Sequence, residues 1–145
     1  MVNVKIMRMS ETAIIPKKAH STDACFDLYA DIESALTIKP HDTVKVGTGI
    51  ATEIPVGYWA AGFARSGIAT KQGLRPANCT MVIDADYRGE WIVALHNDTE
   101  IEQTINPGDR IAQAMILPVL EIELEEVESL NDTDRGAGGF GSSGK

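Results

Sequence analysis

The stretch VIDADYRGEW, residues 82–91, sets two carboxylates, Asp84 and Asp86, between two apolar runs. It reads as a β-hairpin with a loop longer than two residues. On that reading Asp84 ends a buried strand, where a carboxylate is costly unless it has partners or a task. Such a group can act as a general base for water. Tyr87 would offer a flat, rigid face beside it. The same residues also read as a plain polar hairpin tip.

Other stretches carry charge in patterned surroundings. ARSGIA, residues 64–69, puts Arg65 and Ser66 at the start of a short helix. Arg there suits an anion through charge-assisted bonds, and Ser66 equally suits a helix cap. DACFDLYA, residues 23–30, holds Asp27 in an otherwise apolar strand, where it either caps a turn or faces a polar site. If that site holds a polyphosphate, an acid beside hydrated magnesium is sensible, because the ion takes oxygen ligands and keeps waters. PGDRIAQAMI, residues 107–116, is a turn leading into a strand. Its Asp109 and Arg110 read as a surface pair of little energetic value, with Gln113 alternating in or out.

The chain ends in GGFGSSGK, which from Gly139 spells the G-x-x-x-x-G-K of a phosphate-binding loop. That loop needs a strand before it and a Ser or Thr opening a helix after it. The sequence offers neither. A Gly-rich polar terminus ordinarily stays disordered. Yet Arg135, the serines and free backbone amides suit phosphate, and Phe140 suits a flat ring.

These groups must be positioned by strands. Short runs rich in Val, Ile, Thr and aromatic residues alternate with Gly, Pro, Asp and Asn turns. They are VNVKIM, TVKVGTGIATEI, YWAAGFA, TMVID, EWIVALHN and RIAQAMILPVLEIELEEV. Such spacing predicts an all-β chain, a sandwich or barrel. SGIATKQG, residues 66–73, is the one predicted helix. The final run ends in LEIELEEVE, whose alternation predicts a strand with one solvated face. Beyond Asn131 hydrophobic content collapses. The expected organisation is a β domain over 1–130 and a mobile tail over 131–145.

Composition limits the function classes. The chain has 145 residues, 43% of them hydrophobic, enough for one domain with its own core. A net charge of −8 argues against a general binder of nucleic acid or anionic membrane. No apolar run reaches transmembrane length, and the first residues lack a signal-peptide core; a cytoplasmic location is expected. Cys25 and Cys79 have no metal-like spacing and read as reduced thiols. His20, His41 and His96 form no zinc or triad pattern.

In order and spacing, ACFDL, RSG, NCTMVIDADYRGE, GDRIAQ and RGAGGFGSSG resemble the five motifs of the homotrimeric dUTP pyrophosphatase (dUTPase) family. The resemblance spans residues 22–144. It implies a jelly-roll-like β-barrel, a homotrimer with shared active sites, and magnesium-dependent hydrolysis of dUTP to dUMP and pyrophosphate. It implies that Asp84 holds the attacking water and meets the deoxyribose 3'-hydroxyl, while Tyr87 packs under the sugar and excludes a 2'-hydroxyl. Asn78 and the backbone at Val82 and Ile83 would read the uracil edge. Arg65, Ser66, Gly67 and Gln113 would hold phosphates, and Asp27 would sit in magnesium's water shell. From a neighbouring chain, Arg135, Gly141, Ser142 and Ser143 would close over the β- and γ-phosphates, and Phe140 would stack on uracil. The family commonly has Gly where Cys25 and Met81 stand, and Met81 is expected to alter the uracil pocket and substrate affinity.

Two other readings accompany this one. In a dCTP deaminase, which shares the fold, the catalytic Glu would fall at Ala94, and Ala cannot relay protons. A dUTPase-like binding or regulatory protein would keep the fold and act through a partner.

Overall fold

The computed structural model describes residues 1–139. Phe140, Gly141, Ser142 and Ser143 lie outside the described residues. Eleven strands and one helix are described: β1 (Lys5–Arg8), β2 (Phe26–Tyr29), β3 (Leu36–Ile38), β4 (Thr43–Gly47), β5 (Ile50–Glu53), β6 (Tyr58–Phe63), α1 (Ser66–Gln72), β7 (Leu74–Pro76), β8 (Met81–Ile83), β9 (Ile92–Asn97), β10 (Gln103–Ile105) and β11 (Arg110–Pro118). They form a four-stranded sheet ordered β2-β11-β6-β8, a three-stranded sheet β4-β9-β7, and the pairs β1-β5 and β3-β10. Every pairing is antiparallel.

Period-2 side-chain alternation builds the core. In β9, Val93, Leu95 and Asn97 point inward and Ile92 outward. Val93 and Leu95 meet Leu28 of β2, Ala60 of β6, Ile83 of β8 and Ala112 and Ala114 of β11 in one apolar cluster. Trp91 is buried there, its indole N–H donating to Thr52 Oγ1 at 3.1 Å. Burying each large side chain contributes roughly 1.5–3 kcal/mol. Asn97 is also fully buried, so its amide must be satisfied. Its Nδ2 donates to Ile38 O, Lys39 O and Ile101 O, and its Oδ1 accepts from Thr99 N and Thr99 Oγ1.

The predicted helix forms over Ser66–Gln72 and stops where Gly73 adopts φ +62°. Glycine reaches that left-handed region without a Cβ penalty, as helix C-terminal positions require. TVKVGTGIATEI is not one strand. It breaks at Gly49, φ +63°, and its halves β4 and β5 join different sheets.

Two expectations are corrected. VIDADYRGEW is not a hairpin: β8 pairs with β6, while β9 pairs with β4 and β7. The backbone of Trp91 instead donates to Ile50 O at 2.9 Å, so residues 84–91 cross between sheets. The final strand ends at Pro118, and LEIELEEVE lies in no strand. Its alternation is real, but no strand of the chain pairs with it among the described residues, and Leu120, Ile122 and Leu124 stay exposed.

Candidate active site

The first functional cleft forms where β2, β11 and the end of β6 meet. Asp27 and Gln113 are direct cross-strand partners, so their side chains share one face. Gln113 also pairs with Phe63, and its Nε2 donates to Ala64 O at 2.9 Å, tying down the turn that delivers Arg65. Arg65 Nε donates to Asp27 Oδ1 at 2.7 Å, and Arg110 NH1 donates to Asp27 Oδ2 at 3.1 Å. The cleft measures about 480 Å³ and is lined by Cys25, Asp27, Arg65, Ser66, Gly67, Arg110 and Gln113, with His20 and Asp23 at its edge. A Cβ on Gly67 would meet nothing within 4 Å, so the backbone there is open to a ligand. Burial pushes the Cys25 thiol up, against the pull of Lys18, and the His20 backbone N–H holds the Asp23 carboxyl down.

Sequence reasoning missed Arg110, which pairs with Asp27 rather than Asp109. The Asp109 carboxylate is taken by the backbone N–H of Asn106 at 2.7 Å.

The second cleft, about 220 Å³, is lined by Val82, Ile83, Asp84, Tyr87, Glu90 and Ile92. Asp84 is exposed rather than buried, because β8 is a three-residue edge strand ending just before it. Among the described residues its carboxylate has no hydrogen-bond partner, leaving it free to accept one from water or a hydroxyl. The Tyr87 hydroxyl donates to Glu90 O at 3.0 Å, and the ring lies over Gly89, where a Cβ would meet Cζ at 2.6 Å. Glu90 is held by the backbone N–H of Gly49 at 2.8 Å. Val82 points outward into this cleft. Asn78 is exposed in the turn before β8, its carbonyl accepting from Thr80 N at 2.6 Å.

Met81 is not in the cleft. It is buried on β8 opposite Gly62 of β6, where a Cβ would lie 2.9 Å from the Met81 sulfur. Alternation turns Met81 to the core and Val82 to the site, and Gly62 makes the room. The expected change to pocket shape at Met81 therefore has no side chain in the pocket behind it.

The structure does not join the two clefts. They share no lining residue. Ile83 pairs with Ala60 near the start of β6, whereas Arg65 follows its far end. That separation is about 15 Å along an extended chain. Arg135 belongs to neither cleft; it sits on an exposed turn with Nε donating to Gly138 O at 2.9 Å.

Among the described residues no three His, Cys, Asp or Glu side chains gather to hold a metal. Of the two carboxylates lining this cleft, Asp27 and Asp23, Asp27 is the one paired with Arg65 and set across from Gln113. One carboxylate, with phosphate oxygens and waters supplying the rest, is a donor set that suits magnesium.

An antiparallel β-sandwich presenting a guanidinium-lined cleft and a carboxylate-aromatic cleft defines a class of protein that handles a phosphorylated, ring-bearing ligand. Comparison with known proteins narrows the class. The dUTPase family profile matches residues 11–144. The deoxyuridine 5'-triphosphate nucleotidohydrolase of Anaplasma marginale is 43% identical over 146 residues, covering 99% of both chains. That of Corynebacterium glutamicum is 46% identical over 143 residues, covering 98% of this chain and 95% of the relative. Among solved structures, a mutant dUTPase of Staphylococcus bacteriophage 80alpha with dUpNHpp superposes with a TM-score of 0.89 at 28% identity, covering 99% of each chain. A mutant dUTPase of phage phi11 of S. aureus, described with a structural Mg(II) ion, gives 0.80 at 26% identity, covering 90% of this chain and 99% of that one. The chain belongs to the dUTPase family. Its fold is the jelly roll of these enzymes, and it is a hydrolase that converts dUTP to dUMP.

Proposed function

We propose that the two clefts are halves of different active sites, completed when copies of this chain assemble as a homotrimer. The observation that carries this reading is their separation: the base-and-sugar groups and the phosphate groups lie at opposite ends of β6, with no shared lining residue. The unpaired segment after β11 supports it. Leu120, Ile122 and Leu124 alternate with Glu121 and Glu123, expose their apolar side chains, and have no strand partner among the described residues. An extended segment of this kind is satisfied by adding to another chain's sheet or surface.

In the assembled site Asp84 orients water and takes its proton as the water attacks the α-phosphorus, and it also holds the 3'-hydroxyl. Tyr87 packs under the sugar. Asn78 and the backbone at Val82 and Ile83 meet the uracil edge, where a wrong base leaves buried groups unpaired. Arg65, Ser66, Gly67 and Gln113 hold the phosphate oxygens, spreading positive charge where negative charge develops. Magnesium, when bound to the triphosphate, withdraws charge from the phosphate oxygens. Asp27 would hold that ion through a water of its shell. Residues 1–130 form the β unit, and 131–145 form a closing segment that brings Arg135, Phe140, Gly141, Ser142 and Ser143 over a neighbour's substrate. Its action is on free dUTP in the cytoplasm.

A nucleotide panel with pyrophosphate detection tests the reading. dUTP with magnesium should turn over, with UTP, dCTP and dTTP poor. Equal turnover of dUTP and UTP would sink the role given to Tyr87. Asp84→Asn should lose hydrolysis by at least about a hundredfold while still binding a non-hydrolysable dUTP analogue.

A further inference from the structure

The residue left over by the motif reading is Arg110, and the fold goes out of its way to place it. Strand β11 is paired to β2 with Gln113 opposite Asp27 and Ala112 opposite Leu28, but Arg110 opposite Tyr29. Two steps on β11 therefore answer one step on β2, and Ile111 is the extra residue of a β-bulge. Without it, alternation would turn Arg110 to the core, away from Gln113. With it, Ile111 and Ala112 are both fully buried, and Arg110 returns to the face shared by Asp27 and Gln113. Bulges beside functional sites re-aim side chains in this way.

The re-aimed guanidinium meets Asp27 at 3.1 Å, on the oxygen that Arg65 does not use. The Asp27 side chain is 13% exposed and Arg65 23%, whereas Arg110 is 48% exposed. A carboxylate that shielded is fixed in plane by two donors, one to each oxygen. Its remaining lone pairs then point in set directions. Arg65 has further N–H groups beyond the one on Asp27, so its direction into the cleft is also set by this carboxylate.

We propose that Arg110 is a positioning residue, acting through Asp27: it holds the carboxylate in the orientation that aims Arg65 at the phosphates and presents Asp27 to a magnesium-bound water. This rests on the reading of the cleft as the triphosphate site. Arg110 need not touch the substrate. Its effect should therefore disappear when Asp27 can no longer form the pair.

The test is a double-mutant cycle read by calorimetric binding of dUpNHpp to the full-length assembled protein, with magnesium and with EDTA. Arg110→Gln should weaken binding about tenfold with magnesium, and less in EDTA. Arg110→Lys, which keeps charge but loses the planar fork, should recover part of the loss. In an Asp27→Asn background, Arg110→Gln should cost less than about twofold, because coupled sites are non-additive. Equal losses in both backgrounds would overturn the proposal and make Arg110 either a direct phosphate contact or a plain structural residue. A change indifferent to magnesium would overturn it as well. If the unmodified protein does not bind dUpNHpp, the reading of the cleft itself falls. If it binds and the losses add, only the role of Arg110 falls. Should Arg110→Gln fail to fold, the Arg110→Lys cycle against Asp27→Asn carries the same additivity criterion.

Discussion

Tyr87 is exposed, yet it is not free to swing, because its hydroxyl donates to Glu90 O and its ring covers Gly89. Gly89 is needed for that close approach rather than for a special backbone angle. Gly89→Ala should lift the ring and leave the fold intact, since an exposed ring can move at small cost. We expect the preference for dUTP over UTP, as a ratio of kcat/KM, to narrow about tenfold with an unchanged unfolding midpoint. A fall in stability with discrimination intact would contradict this. Asp84 and Tyr87 were singled out from the sequence by their types and spacing, and the structure places both on one cleft. Arg110 was not readable, since its partner Asp27 lies 83 positions away and meets it only across a bulge.

At the scale of elements, the end of β9 shows how the sheet pattern turns into a constraint. The alternation that buries Val93 and Leu95 buries Asn97 next, and its amide then ties β9 to Ile38 and Lys39 at the end of β3 and to the loop at Ile101. Asn97→Ala would strand those carbonyls and the Thr99 N–H away from water. We expect a loss of about 2–4 kcal/mol in urea unfolding at fixed protein concentration. A loss below about 1 kcal/mol would mean that water replaces the amide. The strand content around this element was legible, as was α1, which the structure ends one residue before the predicted stretch does. The short strands β3, β7 and β10 were not, because three residues carry too little periodicity to stand out from loop. Nor was the separation of β8 from β9: adjacent strands joined by a turn-like sequence usually pair, and here tertiary partners took both backbones.

Among the described residues of one chain, the Arg65 cleft and the Asp84 cleft share no lining residue, and the apolar extended segment after β11 has no strand partner. The proposed homotrimer would complete the clefts and cover the segment. Light scattering should give three times the chain mass, and an active monomer would refute the shared site. Removing residues 135–145 should abolish most turnover while leaving the trimer intact. Mixing that truncated chain with intact-tail Asp84→Asn should restore part of the activity in mixed trimers, because some sites then combine an intact Asp84 with an intact neighbouring tail. No recovery would place the tail and Asp84 in the same chain's site. The sequence by itself determined the all-β fold class, through hydrophobic period and turn spacing, and the order of five motifs whose resemblance to a known family implied the reaction, because these are local properties that a linear string carries. Only the tertiary structure decided which strands pair, that Met81 turns inward against Gly62, that a bulge brings Arg110 to Asp27, and that the two clefts lie apart. Each of these depends on cross-strand register between distant segments, where a one-residue shift reverses every side chain, and nothing local in the string specifies that register.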